Sequence, residues 1–249
     1  MIISLLILGV ICGFLNSAAS GGSLVILPIM IFLGIPPTVA NATFRLPILI
    51  GSATSIWKFQ KASAIPWSKT PFLLLIFVPM SLIGAAFASM LPNAWISTII
   101  KVSVVIALIF LLIDPKRALT KKKSVSPENQ LGTNNIRMAL IVGICGMWLG
   151  LVVIDAAILL LLGLVYFGGL LFEEAVPIKS ALIFISSIPT IILFMFSGDI
   201  NWVYGATLSL GSIGGAILGS SLVLQKGSSK WIHILLTGVV IIEAIKMFF

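Results

Sequence analysis

A chain of 249 residues that is 59% hydrophobic and only 9% charged cannot cover a core with a polar shell. Soluble domains carry about 25% charged residues, so an ordinary soluble globule is excluded and lipid is left as the solvent for an apolar exterior. The net charge of +8 does not point to nucleic acid, because the basic residues lie between apolar runs. Five of them, Lys116, Arg117, Lys121, Lys122 and Lys123, crowd one linker, a pattern that reads as positive-inside topology and attraction to anionic headgroups.

The first apolar stretch, 2–34, opens MIISLLILGVICGF. It lacks a basic n-region and reads as a membrane segment, not a cleaved signal peptide. It is interrupted at 16–23 by the polar, small residues NSAASGGS. One crossing needs about 20 residues and two need over 40, so this stretch fits neither. It fits a re-entrant hairpin of two half-helices with the Gly/Ser break at its tip, where irregular backbone must be buried in protein or line a wet cavity. Apolar runs then follow at 40–57, 71–89 and 94–113, and a polar linker at 114–136. The second half runs 137–150, 153–165, 176–196, 203–224 and 231–248. Three units result: a first transmembrane repeat at 1–113, a flexible cytoplasmic linker at 114–136 and a second repeat at 137–249.

The halves share residues as well as hydropathy. "ICG" at 11–13 recurs at 144–146, 133 residues later. "IPW" at 65–67 answers "INW" at 200–202, Gly84 answers Gly219, and "VVI" at 104–106 returns at 239–241, all 135 residues later. This predicts an internal duplication with a two-residue indel early in the repeat, a common plan in secondary transporters. The predicted fold is therefore an all-α integral membrane protein of two repeated halves, each a re-entrant helical hairpin plus three transmembrane helices. Such halves are inverted, with Lys58, Lys61, Lys69, Lys226 and Lys230 facing the cytoplasm and both termini outside. The alternative is eight full spans in a parallel 4+4 repeat; the positive-inside rule favours the inverted arrangement.

Few residues carry chemistry. Arg45 lies just inside the start of a crossing, where a charge costs several kcal/mol unless it faces a cavity or a partner. It reads as an anion ligand that grips two oxygens, with Asn41 and Thr43 beside it, or as an arginine snorkelling to the interface. The tip, with Asn16, Ser17, Ser20, Gly21, Gly22 and Ser23, offers free backbone N–H groups at the start of a half-helix, or is a break needed only for packing. Asp155, alone in LGLVVIDAAILLL, holds the matching place in the second half. It is a candidate for a coupling proton or cation, or a structural partner of Lys179 or Arg45. Lys179 roughly mirrors Arg45, as a second anion contact or a snorkelling residue beside Glu173 and Glu174. Gly211, Gly215 and Gly219, and likewise Ser81, Ala85 and Ser89, form close-packing ridges. Cys12 and Cys145 read as small buried hydrophobes, and the lone His233 is a poor metal candidate. Pro79 and Pro189 are candidate kinks. There is no nucleotide-binding or catalytic signature.

The stretches GFLNSAASGGSLVILP and GIPPTVANATFR are similar to the TauE/SafE family, the sulfite exporter or toluene sulfonate uptake permeases. Gly21, Gly22, Pro28, Ala40, Asn41, Ala42, Thr43 and Arg45 carry the resemblance, which extends over essentially the whole chain. It implies transport of sulfite, organosulfonates or related sulfur anions. Phe44 stands where many relatives have Asn, and VVID where a second Gly cluster is common, so the substrate does not follow from the family. The function expected is a secondary transporter of a small anion in the cytoplasmic membrane, without catalytic residues, metal or cofactor. Its partners are the solute and lipid, and its oligomeric state is left open. The rivals are a membrane-embedded enzyme acting on a lipid-soluble substrate and a non-transporting scaffold.

Overall fold

The computed structural model describes residues 2–18, 20–68, 70–112, 136–154, 156–170 and 172–225. The described residues are helical, with no strand among them: α1 (Ile2–Ala18), α2 (Gly22–Phe32), α3 (Pro37–Thr43), α4 (Arg45–Lys61), α5 (Thr70–Met90), α6 (Asn93–Leu112), α7 (Ile136–Leu151), α8 (Ala156–Tyr166), α9 (Phe172–Ser197) and α10 (Trp202–Val223). The linker expected at 114–136, the segment 231–248 with His233, and Lys69, Lys226 and Lys230 lie outside the described residues, save Ile136, which opens α7. Of the described helices, 70–90, 173–197 and 202–223 are each long and apolar enough to cross a membrane. The outward faces of the first and last of these are apolar: Leu75 is 74% exposed, Phe87 59% and Leu210 65%. Lipid accommodates such a surface and water does not.

The stretch 2–34 does reverse direction, but not as two equal half-helices. With 17 residues, α1 reaches about 25 Å, close to a full hydrocarbon thickness, whereas α2 has 11 residues and reaches about 16 Å. The reversal is tight because Gly22 backs onto α1: a Cβ there would sit 2.6 Å from the Cys12 carbonyl oxygen. In the second half α8 returns along α7, with Gly163 against Ile141 and Gly168, just past its end, against Met138. The run expected as one crossing at 40–57 is two helices, α3 and α4, joined at Phe44. Phe44 is buried, and its N–H still reaches the Ala40 carbonyl at 3.0 Å, so the chain bends there without losing that bond.

The small-residue ridges make contacts within the chain. α1 packs along α10, and α7 along α5. Both pairs approach so closely that backbone meets backbone: a Cβ on Gly215 would fall 1.9 Å from the Val10 oxygen, and one on Gly150 would fall 1.9 Å from the Ser81 oxygen. The ridge on α5 is Ser81, Gly84, Ala85 and Ala88; Ser89 is only half-buried, bonded to its own Ala86 carbonyl. The two pairs match in detail. Gly219 faces the Phe14 oxygen as Gly84 faces that of Met147, and Gly13 faces the Ser212 oxygen as Gly146 faces that of Phe77. Phe14 and Met147 are 133 residues apart, as are Gly13 and Gly146; Gly84 and Gly219 are 135 apart, as are Phe77 and Ser212. α4 and α9 pack on each other between the pairs, α4 also against α10 and α9 also against α5.

Candidate functional site

The break after α1 is held by side chains that the sequence places far apart. Ser20 takes a left-handed conformation, φ 70°, which lets the chain turn. The Asn16 carboxamide accepts the Gly22 N–H at 3.0 Å and donates to the Cys12 sulfur at 3.4 Å. The N–H of Gly22, expected to be free for an anion, is therefore occupied. The ammonium of Lys179, from α9, donates to the Asn16 carbonyl at 2.8 Å and to the Ser20 hydroxyl at 2.6 Å. Lys179 is 1% exposed. Ser17 and Ser55, from α1 and α4, share a hydrogen bond of 2.7 Å.

The second break, between α7 and α8, is held from the first half. The Arg45 guanidinium donates to the Gly150 carbonyl. Asn41 donates to the Leu151 carbonyl at 3.0 Å and accepts the Val153 N–H at 3.2 Å. Thr43 accepts the Asn201 N–H at 2.9 Å, and the Asn201 side chain in turn caps α10 through the Tyr204 N–H. Arg45 also lies over the Phe194 ring, 4.5 Å from its centroid, and its Nε has no hydrogen-bond partner. Arg45 and Lys179 are both buried in protein and bonded to backbone carbonyls of the opposite half. Neither snorkels. Cations suit these positions because the last carbonyls of α1 and α7 are unpaired and lie at the negative ends of the helix dipoles.

Between the breaks lies a cavity of about 30 Å³, room for a water or two. One side is polar, with Asn16, Ser17, Ser23, Ser52, Ser55, Lys179 and Ser180. The Ser23 hydroxyl, in the first turn of α2, has no hydrogen-bond partner. Leu149, Val153, Ala157 and Ile183 form an apolar side. Of the predicted site residues, the structure brings Asn16, Ser17, Ser23 and Lys179 together on this wall. Ser20 stands behind it on the Lys179 ammonium, and Gly21 and Gly22 shape the turn. Asn41, Thr43 and Arg45 do not line it. Asp155 lies outside the described residues, although Val153 and Ala157, two positions to either side, both line the cavity.

Ser52, Ser55 and Ser180 were not singled out in the sequence. The available signal is GSATS at 51–55, small and polar inside an apolar helix, with Ser52 and Ser55 three apart on one face. A larger hollow of about 410 Å³ between α7 and α8, walled by residues such as Ile144, Leu162 and Phe167, offers an anion no cation.

An apolar exterior, broken helices and a small polar cavity where the breaks meet define a multi-pass helical membrane protein of the transporter type. The chain belongs to the Sulfite exporter TauE/SafE family, which it matches over residues 5–247. It is 26% identical over 238 residues to "Probable membrane transporter protein ORF9" of Sinorhizobium sp, covering 95% of this chain and 88% of that one. It is 27% identical over 232 residues to "Probable membrane transporter protein YfcA" of Escherichia coli K12, covering 90% and 84%. A relative from Haemophilus influenzae, "Probable membrane transporter protein", is 23% identical over 221 residues, covering 89% and 84%. No solved structure matches the chain.

Proposed function

We propose that this protein is a secondary transporter of a small anion, plausibly a sulfur oxyanion or organosulfonate, across the cytoplasmic membrane. The observation that carries this reading is the Lys179 ammonium, buried on the wall of a hydroxyl-lined cavity that no described carboxylate lines. Burying an ammonium costs several kcal/mol, and the two neutral acceptors at Asn16 and Ser20 offset only part of that. An anion entering the cavity completes the compensation. The spare Ser23 hydroxyl and the positive end of the α2 dipole add to it. The relatives are named as transporters, which favours this reading over a membrane enzyme or a scaffold. Asp155 is the coupling residue of the proposal.

The cavity is too small for a sulfonate, so the conformation described here is closed around the site and a transport cycle must open it. Flux into proteoliposomes from a panel of sulfite, thiosulfate, alkanesulfonates and carboxylates tests the reading. Saturable uptake of one of the sulfur anions is expected, and no flux of any of them returns the protein to the scaffold reading.

We further propose that the chain is a duplicated, inverted pair of units, 1–113 and 137–249, joined by a cytoplasmic linker at 114–136. The matched backbone contacts at offsets of 133 and 135 support it. Lys61, stacked on Trp57 at 4.0 Å, and Trp67, bonded to Gln60 at 2.6 Å, give the α4–α5 turn the character of a membrane–water boundary. In the inverted arrangement the α9–α10 turn faces outward and the α4–α5 turn faces the cytoplasm. A thiol introduced by Asp199→Cys is then expected to react with an impermeant maleimide in intact cells, and one introduced by Ser63→Cys only after lysis. Protection of Asp199→Cys in intact cells would support the parallel arrangement instead.

A further inference from the structure

We propose that Asn41 and Arg45 are positioning residues that set the second-half wall of the cavity by clamping the α7–α8 break. Their polar groups are spent on three consecutive turns of backbone chemistry. Arg45 takes the Gly150 carbonyl, and Asn41 takes the Leu151 carbonyl and the Val153 N–H. The carboxamide of Asn41 stands in for a missing peptide partner across the break, satisfying one acceptor and one donor that the end of α7 leaves open. The residues bracketing the clamped carbonyls, Leu149 and Val153, are the ones that line the cavity. The clamp thus sits one layer behind the apolar wall, and the solute does not meet it.

Geometry separates this role from that of Lys179. Lys179 is itself on the cavity wall, whereas Asn41 and Arg45 are not. Thr43, holding the Asn201 N–H at the start of α10, ties the same short stretch to a second element. The segment 41–45 of the first half therefore grips two helix ends of the second. Arg45 adds its stack on Phe194, which fixes the guanidinium plane from the side opposite a simple point charge. The clamp does not depend on which solute is carried; only the wall's purpose rests on the anion reading above.

The test needs no substrate. In a Cys12→Ser, Cys145→Ala background, single thiols are placed by Val153→Cys on the clamped wall and by Ser23→Cys on the opposite one. Alkylation by a small permeant maleimide is followed on the purified, reconstituted protein. Both positions are buried, so labelling reports local opening. Asn41→Leu and Arg45→Gln are expected to speed labelling of Val153→Cys roughly tenfold, what about 1.4 kcal/mol lost from an opening equilibrium gives. Labelling of Ser23→Cys is expected to stay at the parent rate. Arg45→Lys keeps a donor for the Gly150 carbonyl and is expected to restore most of the protection. Should Asn41→Leu fail to insert, Asn41→Asp, equal in size but without the donor to Leu151, gives the same reading. Unchanged labelling of Val153→Cys in these variants, or a rise at Ser23→Cys in step with it, overturns the proposal. Neither result bears on flux, so the clamp and the anion site fail separately.

Discussion

Replacing Lys179 by Met is expected to abolish solute binding and flux while leaving the protein folded and inserted. The side chains are close in length, so the buried volume is nearly kept. Two acceptors, the Asn16 carbonyl and the Ser20 hydroxyl, lose their donor, which costs about 1–3 kcal/mol. Removing a buried charge returns a similar amount, so thermal stability in detergent is expected to stay near the parent's or to rise. Binding behaves differently. A charge-assisted bond contributes about 1.5–3 kcal/mol, so its loss weakens affinity roughly ten- to a hundredfold. The remaining hydroxyls then face an anion with no compensating charge, and saturable uptake is expected to disappear. Lys179→Arg keeps the charge but needs volume that a cavity of about 30 Å³ does not have, so its flux is also expected to be severely impaired. Parent-like affinity in Lys179→Met, measured by titration of the purified protein with the transported anion, would remove the anion site proposed above.

Gly150→Ala and Gly84→Ala are expected to be the most damaging single-methyl changes in the described chain. A Cβ at Gly150 would lie 1.9 Å from the Ser81 oxygen and 2.8 Å from the Ala85 nitrogen. One at Gly84 would lie 2.0 Å from the Met147 oxygen. These neighbours are backbone, so no side chain can swing aside, and α5 and α7 must separate along their length. Overpacking commonly costs 1–3 kcal/mol, and a backbone-against-backbone clash belongs at or above about 3 kcal/mol. Gly150 also offers its carbonyl to Arg45, so displacement of α7 disturbs that bond as well. Gly215→Ala, against the Val10 oxygen at 1.9 Å, is expected to do the same to the α1–α10 pair. The internal control is Gly214→Ala, where nothing lies within 4 Å; it is expected to be neutral or slightly stabilising, since Ala is the better helix former. Yield of inserted protein and apparent Tm in detergent decide this. Equal behaviour of Gly150→Ala and Gly214→Ala would mean that the two helices do not approach as described.

The sequence by itself determined the solvent, the helices and the family. Composition alone required lipid, because 9% charged residues cannot cover a globule, and the hydropathy runs located α5, α6, α9 and α10 to within a few residues. Each of those helices satisfies its own backbone, so its position is written locally. Reversal at the Gly/Ser break was legible for the same reason: a length of 33 residues suits neither one crossing nor two. Length did not say how the reversal divides, and α1 took 17 residues against 11 for α2, since tertiary packing on α10 supports α1 well past the expected midpoint. The bend at Phe44 was invisible because no Pro or Gly marks it; a buried Phe packed in the core sets it. The candidate site shows the same division. Asn16, Ser17, Ser23 and Lys179 were found as polar residues in apolar surroundings, a property of each residue alone. That Lys179 reaches the first break, and that Asn41 and Arg45 hold the second, depends on partners more than 100 residues away. A buried cation must find an acceptor, but only the tertiary structure decides which one, because several unpaired helix-end carbonyls compete for it at similar energies.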